Sequence, residues 1–210
     1  LACKFCAFAR ARGRDGAYEL SMPQIMEKAD RAAGLGASEL HIVGGLHPDL
    51  PYAWYLEMLR TLKARHPGIH LKAFTAVEIR YLATLSGKSI CDVLVELREA
   101  GLGSLPGGGA EIFAEKIRQE ICGPKDTSAE WLEVHRIAHG LGIRSTATML
   151  YGHIESAADR VDHLMRLRAL QDETKGGFLA FIPLSFHPDG TRIRVHQASG
   201  MEDLRNVAVA

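Results

Sequence analysis

Residues 39–48 read ELHIVGGLHP and join a short run of apolar and β-branched residues to a glycine-rich turn. Four comparable runs begin near His70 (HLKAF), Gly103 (GSL), Arg144 (RSTATML) and Phe178 (FLAFI). Successive runs start 31, 33, 41 and 34 residues apart, which leaves room each time for one helix and two loops. Such alternation is typical of βαβ crossovers and predicts a parallel sheet.

The length of the chain limits which parallel α/β fold it can form. A complete eight-unit (β/α) barrel needs roughly 250 residues, whereas the chain has 210 residues and five strand-like runs. We therefore expect an α/β fold, a partial or truncated TIM-type barrel, with an open doubly wound sheet as the alternative. Residues 1–210 are expected to form one domain, incomplete at both ends, because the sequence starts at Leu1 and stops in an apolar run.

Composition excludes several classes of protein. There are 25 basic and 25 acidic residues, and this zero net charge gives no support to a nucleic-acid-binding or polybasic membrane-binding role. A hydrophobic content of 47 % excludes a disordered chain. No apolar stretch approaches the ~18 residues that span a bilayer, and no signal-peptide pattern opens the chain. Four cysteines are too few for a disulfide scaffold, so we expect a cytoplasmic protein.

Two local sequence patterns mark where helices begin and where strand-like runs end. A capping pattern predicts the start of a helix at four places, namely Ser21-x-x-Gln24, Thr75-x-x-Glu78, Thr127-x-x-Glu130 and Ser156-x-x-Asp159. Glycine-rich turns follow three of the strand-like runs, at residues 44–48 (GGLHP), 106–111 (PGGGAE) and 151–155 (YGHIE). Parallel α/β folds bind ligands at the carboxyl ends of their strands. Glycine there lets the backbone approach a ligand and leaves its N–H groups free to donate.

Cys3 and Cys6 form a C-x-x-C pair in the segment CKFC. This spacing suits a zinc half-site, a redox dithiol or iron–sulfur ligands, because it lets two thiolates converge on one centre. A structural zinc clip in a binding protein is therefore one alternative. Cys91 and Cys122 stand alone within helical patterns, and we expect both to be small core residues.

Several motifs together carry a family resemblance. CKFCAF (3–8), GGLHP (44–48) and TMLYGHIE (148–155) resemble the radical SAM (S-adenosylmethionine) superfamily, whose signature is C-x3-C-x2-C with an aromatic residue before the last cysteine. Cys3 and Cys6 match the second and third cysteines, and Phe5 matches the aromatic residue. The first cysteine would lie two positions before Leu1, so the printed sequence carries two of the three ligands.

The resemblance narrows to the radical SAM enzymes of menaquinone biosynthesis and extends over nearly the whole chain. Aminodeoxyfutalosine synthases are the most similar in pattern. Cyclic dehypoxanthinyl futalosine synthases share GGLHP and PGGGAE, but they differ where this chain has KAFTAVEI, YGH and IPL. Deazaflavin-cofactor synthases are a more distant alternative. The segments that carry the resemblance include residues 41–60, 71–79, 105–113 and 146–155.

The resemblance implies a [4Fe-4S] cluster, S-adenosylmethionine and a reducing electron donor. Three thiolates leave one iron open, S-adenosylmethionine chelates that iron, and one electron releases a 5′-deoxyadenosyl radical. In the synthases this radical adds to the enol ether of 3-[(1-carboxyvinyl)oxy]benzoate, a small aromatic carboxylate, and loss of carbon dioxide gives aminodeoxyfutalosine. In the cyclic dehypoxanthinyl enzymes the radical instead abstracts hydrogen from a futalosine derivative.

The resemblance also implies the residues that contact S-adenosylmethionine. Gly44 and Gly45 match the glycine motif that meets the methionine amino group, and Phe5 would place its backbone against adenine. The adenine- and ribose-side pattern falls on Leu150, Gly152 and Glu155. Each assignment has a structural alternative: a tight turn for the glycines, loop packing for Phe5, and a helix-start carboxylate for Glu155.

A substrate with two carboxylates needs cationic or donor groups, and three residues are candidates for that role. Lys72 lies between Leu71 and Ala73, so it faces the barrel interior if those two face the helices; the alternative is a lysine that extends to solvent. His47 lies in the glycine-marked turn, where a structural role is the alternative. Glu78 is a capping residue or a site residue.

Overall fold

The structure is a computed structural model, and it describes residues 3–8, 10, 13–123 and 125–210. These residues form eight helices and five strands. In chain order they are α1 Met22–Gly34, β1 Glu39–Ile42, α2 Tyr52–Arg65, β2 His70–Ala73, α3 Ala76–Ser86, α4 Ile90–Glu99, β3 Ser104–Leu105, α5 Glu115–Cys122, α6 Ser128–Gly140, β4 Arg144–Tyr151, α7 Ala157–Glu173, β5 Phe178–Ser185 and α8 Gly200–Val209.

The five strands form one parallel sheet in the order β1-β2-β3-β4-β5. Each strand therefore pairs with the next one along the chain, whereas a doubly wound sheet reverses its strand order at a switch point. The expected partial TIM-type barrel is confirmed, and the doubly wound alternative is excluded. All strand ends of one polarity consequently meet at one edge of the sheet.

The spacing of the strand-like runs leaves room for one helix between successive strands. Two of these intervals contain two helices instead. α3 and α4 lie between β2 and β3, and α5 and α6 lie between β3 and β4. Gly87, with φ +68°, ends α3, and Gly123, with φ +63°, ends α5. Glycine adopts a positive φ at little cost, so each of these residues stops a helix inside the interval.

The main hydrophobic core lies between the sheet and its helices. Leu71 and Ala73 of β2 are 0 % exposed and pack in this core together with Leu59 and Leu94 of the helices. Full burial of such a leucine contributes roughly 1.5–3 kcal/mol. Because successive strand residues face opposite sides, Lys72 points away from the helices, as predicted.

A second, smaller cluster of buried side chains covers the carboxyl end of β4 and includes Cys3, Cys122, Met149 and Phe186. The cysteine segment is fixed on this cluster by its backbone. The Lys4 nitrogen donates to the Ile121 carbonyl at 2.7 Å, and the Lys4 carbonyl accepts from the Arg192 nitrogen at 2.8 Å. The C-x-x-C pair therefore lies at the edge of the sheet where the glycine-rich turns lie.

The other sequence predictions for single residues are partly confirmed. Thr75, Thr127 and Ser156 each accept a hydrogen bond from the backbone three residues later, as the capping pattern predicts. Cys122 is buried as expected, but Cys91 is exposed in the first turn of α4, so its assignment to the core is wrong. None of the helices in the described part of the chain has the length and apolarity that a membrane crossing requires.

Candidate active site

The turn after β3 crosses over the middle of β4. The Gly107 nitrogen donates to Thr146 Oγ1 at 3.0 Å, and Thr148 Oγ1 donates to the Gly107 carbonyl at 2.7 Å. A Cβ at Gly107 would lie 2.7 Å from backbone atoms of Ala147. The approach is closer than any side chain permits, so glycine is required here for packing.

Glu78 joins the carboxyl ends of β1 and β2. One carboxylate oxygen, Oε1, accepts from the Gly44 nitrogen at 3.0 Å, and Oε2 accepts from the nitrogen and from Oγ1 of Thr75, both at 2.8 Å. Burial raises the pKa of Glu78, and the hydrogen bonds from Thr75 and Gly44 offset only part of this increase. The predicted capping role is confirmed, and the same carboxylate also orients the first glycine of the GGLHP turn.

The turn after β4 is built around Glu155, whose side chain is 0 % exposed. Its Oε1 accepts from the Gly152 nitrogen at 2.7 Å and from Arg160 Nε at 2.8 Å, while Oε2 accepts from the His153 nitrogen at 2.9 Å. Gly152 has φ +85°, which suits glycine. Leu150 fixes the turn to the neighbouring loop, because its nitrogen donates to the Glu111 carbonyl at 2.7 Å.

His153 completes this turn as a neutral imidazole. Its Nε2 donates to the Leu150 carbonyl at 3.0 Å, and Nδ1 accepts from the Ile154 nitrogen at 2.8 Å. Burial lowers the pKa of His153, although the nearby Glu155 carboxylate opposes that shift. These contacts give His153 a structural role in holding the backbone of the turn.

Cys3 and Cys6 lie on one tight turn, in which the Cys6 nitrogen donates to the Cys3 carbonyl at 3.3 Å. Both are free thiols; Cys3 is buried and Cys6 is half-buried. A hydrogen bond with Cys122 lowers the pKa of Cys3 to about 6, and the positive charge of Lys125 adds to this shift against the effect of burial. A thiolate is the form that binds a metal, so the turn favours metal ligation.

A buried ion pair lies beside the cysteine turn. Lys125 Nζ is 2.5 Å from Glu111 Oε1, and the two side chains are 8 % and 10 % exposed. Burial opposes the charge on Lys125, but the Glu111 carboxylate outweighs it and raises the pKa of Lys125. The ammonium also lies 5.6 Å from the centre of the ring of Phe5, the residue that precedes Cys6 in the C-x-x-C pair.

Sequence reasoning did not find Lys125 as a site residue. It follows the end of α5, and no motif or periodicity marks it. Glu111 is the last residue of the PGGGAE turn that the sequence marks. No pattern in the sequence, however, pairs it with a lysine 14 residues away. The backbone of Glu111 has φ +46°, an uncommon conformation for a residue other than glycine.

Two predicted site residues have partners away from the glycine-rich turns. Lys72 Nζ lies 2.7 Å from Oε1 of Glu39, the first residue of β1, so the ammonium points towards the amino end of the sheet. His47 Nε2 lies 2.8 Å from a Glu19 carboxylate oxygen, and His47 Nδ1 accepts from the backbone nitrogens of Asp49 and Leu50. Both side chains are therefore held by internal contacts.

The cysteine turn fits part of an iron–sulfur site. Its two soft thiol donors are of the type that binds such clusters. In the part of the chain that the structure describes, no group of three or more His, Cys, Asp or Glu residues could hold a metal ion. Cys3 and Cys6 thus supply two thiol donors, which is fewer than a three-thiolate cluster or a closed zinc site requires.

Comparison with known proteins establishes the class of protein. Residues 1–167 match the family described as the Radical SAM superfamily, and the chain belongs to that superfamily. Its fold is similar to that of the FeFe-hydrogenase maturase HydG from Carboxydothermus hydrogenoformans, with a TM-score of 0.71 over 98 % of this chain and 46 % of that one. At 14 % identity this likeness concerns the fold alone.

Two relatives are much more similar in sequence. Aminodeoxyfutalosine synthase of Thermus thermophilus is 46 % identical over 99 % of this chain and 57 % of its own length. The 5-amino-6-(D-ribitylamino)uracil–L-tyrosine 4-hydroxyphenyl transferase of Methanopyrus kandleri is 45 % identical over 99 % of this chain and 58 % of its own length. The predicted resemblance to aminodeoxyfutalosine synthases is confirmed, and the chain spans somewhat more than half the length of these relatives.

Proposed function

We propose that this chain carries the radical SAM core of an aminodeoxyfutalosine synthase. The observation that carries the proposal is the 46 % identity over 99 % of the chain to such a synthase. The reaction would join the adenosyl group of S-adenosylmethionine to 3-[(1-carboxyvinyl)oxy]benzoate, with loss of carbon dioxide. The location of the cysteine turn at the strand edge that binds ligands in such folds supports the proposal.

Cys3 and Cys6 are proposed as two thiolate ligands of a [4Fe-4S] cluster. A cluster held by these thiolates would supply the one-electron reduction of S-adenosylmethionine. The lowered pKa of Cys3 supports the assignment, because the thiolate is the form that binds a metal. The backbone bonds of Lys4 to Ile121 and Arg192 hold the turn in place for this purpose.

S-Adenosylmethionine is proposed to lie against the glycine-rich turns. Gly44 and Gly45 would meet its amino group, with Glu78 holding the Gly44 peptide in orientation. Phe5 would present its backbone to the adenine. The turn formed by Leu150, Gly152 and Glu155 would shape the adenine and ribose side.

Lys72 and His47 are proposed to meet the substrate carboxylates. In the structure both are occupied by acidic partners, Glu39 and Glu19. To meet a carboxylate beside the glycine-rich turns, Lys72 would have to leave Glu39 and turn towards the carboxyl end of the sheet, and His47 would have to leave Glu19. Glu78 is proposed as a positioning residue, because all three of its contacts are with backbone or side-chain groups of the turns.

The product distinguishes this function from its alternatives. Full-length protein, reconstituted anaerobically, is incubated with a reductant, S-adenosylmethionine labelled in its adenosyl group and 3-[(1-carboxyvinyl)oxy]benzoate. We expect the label to appear in aminodeoxyfutalosine by mass spectrometry, and the Cys6→Ser variant to form none. Label recovered only as free 5′-deoxyadenosine, with no adduct, would refute the synthase assignment.

A second candidate rests on the 45 % identity to the Methanopyrus kandleri transferase. A parallel incubation supplies L-tyrosine and 5-amino-6-(D-ribitylamino)uracil, the compounds that its name contains. A coupled product in this incubation alone would favour the transferase. Cyclic dehypoxanthinyl futalosine synthase is tested in a third incubation with the futalosine derivative, whose cyclisation leaves the adenosyl label out of the product.

A further inference from the structure

Lys125 is a buried charged residue that lies beside the cysteine turn. Its ammonium is 5.6 Å from the centre of the Phe5 ring, and Phe5 stands between Cys3 and Cys6. Cys122, three residues before Lys125, also lies next to the turn, because its carbonyl is 3.9 Å from Cys3 Sγ. The side chain of Lys125 is 8 % exposed, so little water screens its charge.

From this placement we infer that Lys125 is a fixed cation that raises the reduction potential of the iron–sulfur group held at Cys3 and Cys6, and that Glu111 positions it. This inference rests on the proposed function of the cysteine turn. A cluster with thiolate ligands gains negative charge when it is reduced, and its potential responds to neighbouring charge and to burial. A nearby buried cation therefore stabilises the reduced form more than the oxidised form.

Glu111 is held rigidly enough to position the ammonium. Its carbonyl accepts from the Leu150 nitrogen at 2.7 Å, and its neighbours Ala110 and Ile112 are fully buried. Its positive φ of 46° is a conformation that persists only where the surrounding contacts determine it. The carboxylate is thus tied to the end of β4, and the ion pair transmits that position to Lys125.

The test is an EPR-monitored redox titration of the anaerobically reconstituted full-length protein. Lys125→Met removes the cation, and we expect the midpoint potential to become more negative. Glu111→Gln removes the opposing negative charge but leaves the ammonium, and we expect a less negative potential. Lys125→Arg keeps the charge and should remain closer to the wild type than Lys125→Met.

Lys88→Met provides the matched control. Lys88, between α3 and α4, forms an ion pair with Glu96 and lies outside the site. Opposite shifts in Lys125→Met and Glu111→Gln, with no shift in Lys88→Met, would support the inference. A merely structural ion pair would move both variants in the same direction or neither, and either result would overturn it. If Lys125→Met binds no iron, the sign of the Glu111→Gln shift decides. A wild-type protein that assembles no cluster would instead refute the proposed function.

Discussion

Glu78 shows how one carboxylate serves two elements at once. Its oxygens accept three hydrogen bonds, two from Thr75 and one from Gly44. The Thr75-x-x-Glu78 spacing predicts the first two, because a capping box is local in sequence. The Gly44 contact joins residues 34 apart, and only the pairing of β1 with β2 brings them together.

Glu78→Ala should lower the free energy of unfolding by about 2–3 kcal/mol, because it removes the carboxylate half of the capping box and leaves the Gly44 N–H without its partner. Urea denaturation monitored by circular dichroism measures this change. Asp159→Ala is the matched control, since Asp159 makes the same capping box with Ser156 at the surface, and it should cost about 1 kcal/mol. Equal losses in the two variants would show that the Gly44 contact contributes nothing.

Lys125 could not be predicted as a site residue from the sequence. Its burial beside Glu111 and the cysteine turn is a property of the folded chain. By contrast, the alternation of strand residues correctly placed Lys72 on the face opposite the helices. The partner of Lys72, Glu39, was not predicted, because it depends on how β1 and β2 align.

At the scale of elements, the sequence predicted the positions of all five strands and their parallel pairing. Short apolar runs predict the strands and glycine-rich turns predict their ends, because both patterns are local in the sequence. Of the four helices in the two split intervals, α5 was not predicted. Gly87 and Gly123 end helices there, but a glycine within a helical pattern does not by itself reveal a positive φ.

The crossing of the PGGGAE turn over β4 leads to a prediction about Gly107. Gly107→Ala would force a Cβ to within 2.7 Å of the Ala147 backbone and displace the turn from Thr146 and Thr148. We expect a loss of about 2–4 kcal/mol in the free energy of unfolding, within the range known for severe steric and hydrogen-bond disruption.

The control for this prediction is Gly140→Ala. A Cβ at Gly140, the last residue of α6, would meet no heavy atom within 4 Å. Alanine is favoured over glycine in a helix by up to about 1 kcal/mol, so this variant should be neutral or stabilised. A Gly107→Ala protein as stable as Gly140→Ala in the same urea titration would contradict the close packing of the turn on β4.

For the whole molecule, buried histidines make stability depend on pH. His135 and His163 are fully buried, and burial lowers the pKa of both, that of His163 to about 3. Burial also lowers the pKa of His139 to about 4. In the unfolded chain these side chains take up protons near pH 6.5. Between pH 6.5 and about 3 the unfolded state thus binds more protons, and stability falls as the pH falls.

We expect the free energy of unfolding to drop by about 2 kcal/mol for each fully buried histidine between pH 7 and pH 5. His163→Gln keeps an amide donor for the Thr148 carbonyl, which His163 Nε2 contacts at 3.0 Å, and it removes one titrating group. Urea midpoints measured from pH 7 to pH 5 should therefore fall less steeply in this variant. Parallel pH profiles for the two proteins would show that His163 does not titrate on unfolding.

The role of Cys3 and Cys6 as cluster ligands is tested most directly by the iron content and the absorption at about 400 nm of the anaerobically reconstituted full-length protein. Cys3→Ser and Cys6→Ser should each lose the absorption and most of the iron, whereas Cys91→Ser, which changes an exposed thiol on α4, should keep both. Retention of the absorption in Cys3→Ser and Cys6→Ser, or a colourless wild-type protein with stoichiometric zinc, would contradict it.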